Sequence, residues 1–329
     1  MTFQSTRRAA LSAMAIALCP HSQRAALAQP STFPTGPVRI VMPFPPGTSL
    51  DVLVRLVGER LMVVWKQPVV IESRPGASSM IASTAVAQAK PDGHVLLGNV
   101  LLILQNPLLR SKLPYDPAAL VPLMQLQTQQ LPLLMRSDLG FASAKDLLEY
   151  ARTHPGKLNF ATYGIGSTPH IIKTKIELDQ KVSMTHVPYQ GPQDVIKALL
   201  TGDADIGMTD YLPAKEHVAS GKLKVIAVTG ARRMARAADA PTFAELGVSG
   251  FEGALWFGLF APAGTPEAVQ SRIAADIAAV MADPSLQQKL RNEMFVEPAV
   301  EGPEAFRKTY DRDYETWAAT IRKTKIALD

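Results

Sequence analysis

Two series of short apolar runs alternate with helical patterns, and this alternation constrains the fold most. The first series contains "VRIVMPF", "PVVIES" and "HVLLGN", separated by helical patterns over 49–65 and 79–89. The second contains "LPLLMR", "LNFATY", "MTHVPY", "ADIGM" and "LKVIAVTG", with helical patterns over 143–153, from 167, and over 192–201. Strands separated by helices predict parallel, helix-covered sheets. We therefore predict two α/β domains and a mostly helical tail from Thr265, with helices over 266–282, 284–293 and 303–323.

The loops that follow the predicted strands are the candidate ligand-binding segments. In open α/β sheets, ligands bind beyond the carboxyl ends of the strands, and a cleft between two domains is a common site for a small molecule. We expect five loops to face such a cleft: "PFPPGTSLD", "GNVLLILQNP", "ATYGIGSTPH", "PYQGPQD" and "MTDYLP".

The first of these loops predicts an anion site without a cation. Its turn has no Lys or Arg and matches neither the phosphate-loop pattern nor the dinucleotide fingerprint. Gly47 permits a positive φ, either Thr48 or Ser49 can cap the following helix, and Asp51 lies in the first helical turn. Backbone amides at a helix N-terminus bind anions, but a capped helix start needs no ligand, so both interpretations stay open.

The loop "ATYGIGSTPH" predicts a polar cradle rather than a nucleotide site. It reads G-x-G-x-x-P, with Pro169 at the position of the third glycine of a dinucleotide fingerprint. Free amides and hydroxyls are expected from Thr162, Gly164, Gly166 and Ser167. His170 close to Ser167 makes no catalytic triad without an acid and an oxyanion site, so this pattern alone does not indicate a hydrolase.

Charge and histidine spacing argue against other classes. The net charge is +5, and three of the arginines precede Gln29, which leaves +2 for the remainder. That bias is too weak to indicate nucleic-acid binding, and no basic run with interleaved aromatic residues is present. The six histidines show no paired ligand spacing. We expect no metal site and no cofactor.

The N-terminus has the pattern of an export signal. Arg7 and Arg8 precede the apolar run 9–19, which is too short to span a bilayer, and "ALA" at 26–28 supplies a cleavage site before Gln29. We predict a Sec-type signal peptide over residues 1–28 and a periplasmic protein. Cys19, the only cysteine, lies inside this segment, so the mature chain would contain neither disulfides nor thiolate ligands.

Segments along nearly the whole predicted mature chain resemble the Bug-type solute-binding proteins, the receptors of tripartite tricarboxylate transporters. The similar segments include "VRIVMPFPPGTSLDVLVRLVGERL", "PVVIESRPGA", "AKPDGHVLLGN", "LNFATYGIGSTPH", "HVPYQGPQDVIKALLTGDADIGM", "GKLKVIAVTGARR" and "WFGLFAPAGTP". Two departures from the family pattern stand out. Thr48 replaces the second glycine of P-G-G-x-x-D, and Ser78 and Ser79 replace two glycines of N-R-P-G-A-G-G.

The resemblance implies a two-lobed, periplasmic-binding-protein-like (Venus flytrap) α/β fold with two domain crossovers. Residues 36–129 plus 230–329 would form the first lobe and 130–229 the second. The protein would be a monomeric receptor rather than an enzyme. It would capture a small dicarboxylate, tricarboxylate or aromatic acid and serve the membrane permease subunits of a tripartite transporter.

The resemblance also implies which residues bind the ligand: Phe44, Gly47, Thr48, Ser49, Asp51, Asn99, Val100, Leu101, Thr162, Gly164, Gly166, Ser167, His170 and Asp210. Leu101 and Leu102 either line the pocket or pack only in the core. Two rival functions remain as alternatives: a sensory carboxylate receptor for a signalling partner, and a hydrolase that uses Ser167 and His170.

Overall fold

The computed structural model of the chain describes residues 33–253 and 255–328. Its strands are β1 (Val38–Met42), β2 (Val69–Ser73), β3 (Val95–Asn99), β4 (Leu120–Gln129), β5 (Pro132–Arg136), β6 (Asn159–Thr162), β7 (Thr185–Pro188), β8 (Ile206–Met208), β9 (Leu223–Val228), β10 (Leu255–Pro262) and β11 (Glu297–Glu301). The α-helices are α1 (Ser49–Trp65), α2 (Met80–Ala87), α3 (Leu102–Leu109), α4 (Ala144–Thr153), α5 (Thr168–Gln180), α6 (Pro192–Thr201), α7 (Tyr211–Ala219), α8 (Glu267–Met281), α9 (Pro284–Lys289) and α10 (Pro303–Thr324).

The strands form two sheets, one in each lobe. The first sheet has the order β11-β4-β10-β3-β1-β2, and the second has the order β7-β6-β8-β5-β9. The chain crosses between the sheets twice, from β4 to β5 and from β9 to β10. This is the two-lobed α/β architecture with two crossovers that the sequence predicts.

The expectation of parallel sheets was wrong for part of each sheet. β1 runs parallel to β2 and β3, and β6 runs parallel to β7 and β8. However, β10 is antiparallel to β3 and β4, β11 is antiparallel to β4, and β5 is antiparallel to β8 and β9. β5 and β10 enter their sheets directly from the other lobe, without a helix that returns the chain, so their directions follow the crossing rather than the βαβ rule.

The helix bounds agree closely with the sequence patterns at α1 and α6, but one predicted loop was wrong. "GNVLLILQNP" contains α3, in which six of the eight residues are buried. A buried helix is apolar all round and lacks the amphipathic period that identifies surface helices. The tail is mostly helical as predicted, except that a π-helical turn at Leu290–Met294 extends α9 and β11 adds an edge strand.

A continuous apolar core joins the lobes on one side. The largest buried cluster includes Val41 and Leu97 of the first sheet, Phe160 and Ile206 of the second, and Ile321 of α10. α10 packs against β4 and α3 of the first lobe and α5 of the second. The lobes are therefore held in contact behind the cleft. None of the helices in the described ranges combines the length and apolarity that a membrane span requires.

Candidate functional site

A cavity lies between the two sheets, at the carboxyl ends of the strands. It encloses about 430 Å³ between atoms, counting its solvent-open mouth. We call it the inner cavity, and its walls are Phe44, Leu50, Val100, Leu101, Gln129, Leu131, Tyr163, Thr168, Pro192, Asp210, Leu255, Trp256 and Phe257. Asp210 is the only charged residue in this wall, and the wall contains no Lys, Arg or His. The walls lie so close together that the space between them holds only about one water molecule.

A wider groove lies outside the inner cavity. It measures about 1070 Å³ including open solvent and is lined by residues of both lobes, among them Ser78, Gly164 and Arg110. The rings of Phe44 and Tyr163 border both spaces and meet edge-to-face with centroids 6.0 Å apart. These two rings therefore stand between the inner cavity and the outer groove.

Five helices begin at the wall of the inner cavity. The wall includes the second residue of α1, the N-cap of α3, the first residues of α5 and α6, and the N-cap of α7, which are Leu50, Leu101, Thr168, Pro192 and Asp210. Each helix N-terminus carries a partial positive charge and unpaired backbone N–H groups. Their convergence directs partial positive charges at the cavity without a cation, while the Asp210 carboxylate in the same wall opposes them.

The first strand-to-helix turn is ordered by its own residues. Thr48 is the N-cap of α1, since its Oγ1 accepts from the Asp51 amide at 3.2 Å. Asp51 in turn accepts from the Gly47 amide at 2.9 Å and pairs with Arg55. The Gly47 amide is thus engaged within the turn, whose φ of 87° suits glycine. Ser49 differs, because its fully buried Oγ bonds no group of its own turn and lies instead beside the Asp210 carboxylate of the other lobe.

The glycine loop of the second lobe is also organised internally. The Ser167 hydroxyl donates to the Gly164 carbonyl at 2.7 Å, and the Gly166 amide donates to His170 Nδ1 at 3.1 Å. The side chains of Ser167 and His170 therefore form hydrogen bonds with the loop backbone rather than with each other. A nucleophile needs a hydrogen bond to its base, so this geometry does not support the hydrolase alternative.

Two histidines stack behind this loop. The rings of His170 and His186 lie 4.1 Å apart with an interplanar angle of 5°. His186 Nε2 is 2.7 Å from Thr162 Oγ1. The pKa of each histidine is lowered to about 4, mainly by burial; His170 and Lys173 contribute to the lowering at His186, and Lys173 contributes at His170. The pair is therefore neutral at pH 7 and supports the loop as a packed, hydrogen-bonded layer.

Asp210 is a buried polar residue in the wall of the inner cavity. Its Oδ1 accepts from Gln129 Nε2 at 3.2 Å, a hydrogen bond between the two lobes. Burial raises the pKa of Asp210, and Gln129 and Ser49 oppose that rise. Burial also raises the pKa of Tyr163, and the neighbouring Asp210 carboxylate raises it further, so the phenol stays protonated.

The sequence-predicted residues fall into three groups. Phe44, Val100, Leu101 and Asp210 line the inner cavity, and Gly164 lines the outer groove. Ser49 lies beside Asp210 at the start of α1. The remaining predicted residues do not line either space, and they belong to the internal structure of the loops and strand ends: Gly47, Thr48, Asp51, Asn99, Thr162, Gly166, Ser167 and His170. Asn99, for instance, accepts from the Val100 amide and donates toward Ser83 of α2.

Leu101 and Leu102 combine the two roles that the sequence left open. Both are almost fully buried, yet Leu101 contributes to the inner cavity and Leu102 to the outer groove. Four further wall residues lie in loops that were predicted to face the cleft: Leu50, Tyr163, Thr168 and Pro192. The other five were not predicted, because they lie at the crossings between the lobes: Gln129, Leu131, Leu255, Trp256 and Phe257.

The three residues before α2 have backbone angles typical of glycine, although none of the three is a glycine. Ala77, Ser78 and Ser79 all have positive φ values, of 47°, 50° and 76°. Such values cost non-glycine residues free energy, so the surrounding contacts must hold the turn. Ser78 Oγ donates to the Ile165 carbonyl at 2.7 Å, across the outer groove, and Asn106 Nδ2 donates to the Ser78 carbonyl at 2.8 Å.

Comparison with known proteins identifies the family. The profile described as "Tripartite tricarboxylate transporter family receptor" matches residues 53–325. The chain belongs to this receptor family. It is 30% identical to the UPF0065 protein in the tcbD–tcbE intergenic region of Pseudomonas sp. (strain P51), covering 97% of this chain and 95% of that protein. It is 29% identical to BugT of Bordetella pertussis, covering 90% and 92%.

Solved structures support the same family and fold. R. palustris Rpa4515 with adipate is 30% identical, with a TM-score of 0.84 over 90% of this chain and 99% of that one. MatC (Rpa3494) from Rhodopseudomonas palustris with bound malate is 28% identical, with a TM-score of 0.80 over 88% and 100%. The Bug-type resemblance and the Venus flytrap fold are thereby confirmed. The receptors of this family bind solutes and are not enzymes.

Proposed function

We propose that this receptor captures a small organic carboxylate in the inner cavity and delivers it to the membrane permease subunits of a tripartite transporter. It acts as a monomer in the periplasm after removal of residues 1–28, which lie outside the described residues. Its lobes comprise residues 36–129 plus 230–329 and residues 130–229. The similar proteins that hold adipate and malate support a carboxylate as the ligand class.

The observation that carries this proposal is the convergence of five helix N-termini on a cavity whose wall has no cation. Oriented helix dipoles and free backbone N–H groups stabilise an anion in a cavity from which the entering ligand displaces water. The buried Ser49 hydroxyl, which bonds no group of its own turn, adds a donor beside this region. A carboxylate satisfies both features with one group.

The remainder of the wall suits an apolar ligand body. Leu101, Leu131, Leu255, Trp256 and Phe257 contribute apolar surface to the cavity. Since the present walls admit only about one water, the ligand enters when the lobes separate. Separation breaks the cross-lobe hydrogen bonds from Gln129 to Asp210 and from Ser78 to Ile165. Closure on the ligand restores them or replaces them with ligand contacts.

A thermal-shift screen tests this function. The chain from Gln29 onward is screened against malate, adipate, citrate and benzoate, with the corresponding amides as matched controls. An acid at 100 times its dissociation constant adds about 2.7 kcal/mol to the free energy of unfolding, and its amide adds little. Mass spectrometry should recover the acid unchanged. Stabilisation by no acid, equal stabilisation by the amide, or conversion of the acid would contradict the proposal.

A further inference from the structure

Asp210 stands where a helix-capping residue belongs, yet it does not cap. It precedes the first residue of α7, and aspartate at this position normally accepts from the amides of the first turn. Here the side chain makes no capping hydrogen bond. Its Oδ1 accepts instead from Gln129 Nε2 of the other lobe, at 3.2 Å. Helix capping therefore does not account for the orientation of this carboxylate.

The carboxylate is buried without a counter-charge. Asp210 is 7% exposed and takes part in no ion pair among residues 33–253 and 255–328. The polar groups that face it are the Gln129 amide, Ser49 and the Tyr163 phenol. A buried carboxylate that lacks a cation costs free energy unless hydrogen-bond donors surround it. Asp210 also lines the inner cavity, so a ligand there can supply a further donor.

The anion-binding and cation-binding elements are adjacent. Ser49, at the positive end of α1, lies directly beside the Asp210 carboxylate. A ligand whose carboxylate approaches Ser49 consequently brings its neighbouring carbon next to Asp210. A ligand without a donor on that carbon would place its carboxylate next to the Asp210 carboxylate, and two adjacent anions repel each other. An N–H or O–H donor on that neighbouring carbon would separate the two carboxylates and bind Asp210.

We propose that Asp210 is a specificity-determining residue that accepts a hydrogen bond from a hydroxyl or ammonium group on the carbon next to the ligand carboxylate. The substrate class is then a 2-hydroxy or 2-amino acid. This inference rests on the carboxylate-binding function proposed above. The apolar wall formed by Leu101 and Trp256 would contact the rest of the ligand.

Two matched series of acids test the inference by isothermal titration. One series is succinate, malate and aspartate, and the other is 3-phenylpropionate, 3-phenyllactate and phenylalanine. Within a series, the acids differ only in the hydrogen, hydroxyl or ammonium on the second carbon. Each is titrated into the wild-type protein, Asp210→Asn and Asp138→Asn. Asp138 is an exposed residue of the same lobe that lies in none of the loops at the cavity, and it controls for the chemical change itself.

In at least one series, the wild type should bind a donor-bearing acid about tenfold or more tightly than the plain acid. Asp210→Asn should reduce this preference to about threefold or less, and Asp138→Asn should retain it. If Asp210→Asn removes the preference for the amino acid but not that for the hydroxy acid, the donor is the ammonium group. Charge-assisted hydrogen bonds depend most on the charge of the carboxylate. Urea unfolding of Asp210→Asn checks that the fold is intact.

Two results would overturn the inference, and they differ from each other. If acids bind but Asp210→Asn keeps the wild-type preference, or the wild type has no preference, Asp210 does not determine specificity and the carboxylate-binding function survives. If no acid of either series binds the wild type, the proposed function fails together with this inference.

Discussion

Two adjacent hydroxyl residues at the start of α1 should respond in opposite ways to the same substitution. Thr48 Oγ1 accepts from the Asp51 amide at 3.2 Å and caps the helix. Replacing Thr48 with Ala leaves that amide without its partner, so the free energy of unfolding should fall by about 0.5–2 kcal/mol. Ligand affinity should change little, because Thr48 lies outside the wall of the inner cavity.

Ser49→Ala should weaken binding more than it weakens the fold. The buried Ser49 Oγ caps nothing in its own turn and lies beside the Asp210 carboxylate, so the free energy of unfolding should fall by less than in Thr48→Ala. If the hydroxyl donates to a ligand carboxylate, its loss costs about 1.5–3 kcal/mol of binding free energy. This loss corresponds to a dissociation constant raised by about 10- to 150-fold.

Urea unfolding and isothermal titration on the same protein samples separate the two effects. Thr48→Ser, which retains the capping oxygen, is the matched control and should keep most of the stability that Thr48→Ala loses. The reasoning is refuted if Ser49→Ala unfolds as easily as Thr48→Ala and binds the acid as tightly as the wild type. In that case Ser49 would be structural and the carboxylate would bind elsewhere.

Three further predictions concern the glycine loop, its histidines and export. Because the folded pair His170 and His186 resists protonation, the free energy of unfolding should fall as the pH is lowered from 6.5 toward about 4, and His170→Gln should flatten that dependence in urea titrations at several pH values. Gly166→Ala places a Cβ against the Leu328 side chain at a φ of 77°, so it should cost about 1–3 kcal/mol of stability, and Leu328→Ala should restore part of this in a double-mutant cycle. Mass spectrometry of the periplasmic protein should find a chain that begins near Gln29, and an intact N-terminus there would contradict the export prediction.

Local patterns predicted the elements whose form is set locally. The apolar stripe, the hydroxyl before the first turn and the acidic residue within it predicted α1 over Ser49–Trp65, and the structure has these bounds. Pro192 at the first helical position and Gly202 after the last marked α6 in the same way. The two loops next to the inner cavity were also predicted, because each combines a strand end, glycines and a helix start.

Features that depend on the partner lobe could not be predicted from local patterns. β4 and β10 form much of the cavity wall at Gln129 and Leu255, but their antiparallel pairing arises where the chain crosses between sheets. α3 was missed because its buried face extends around the whole helix. Asp210 was implied only by the family resemblance, since nothing in "MTDYLP" shows that its side chain bonds Gln129 rather than its own helix.

A crystal structure of the protein with the acid that stabilises it most would test the central claim most directly. The account predicts that the acid occupies the inner cavity, with a carboxylate oxygen within about 3 Å of the Ser49 amide or hydroxyl and no Lys or Arg in contact with it. Arg110 lines the outer groove but not the inner cavity, which makes the alternative easy to recognise. An acid bound only in the outer groove, with its carboxylate on Arg110, would contradict the account.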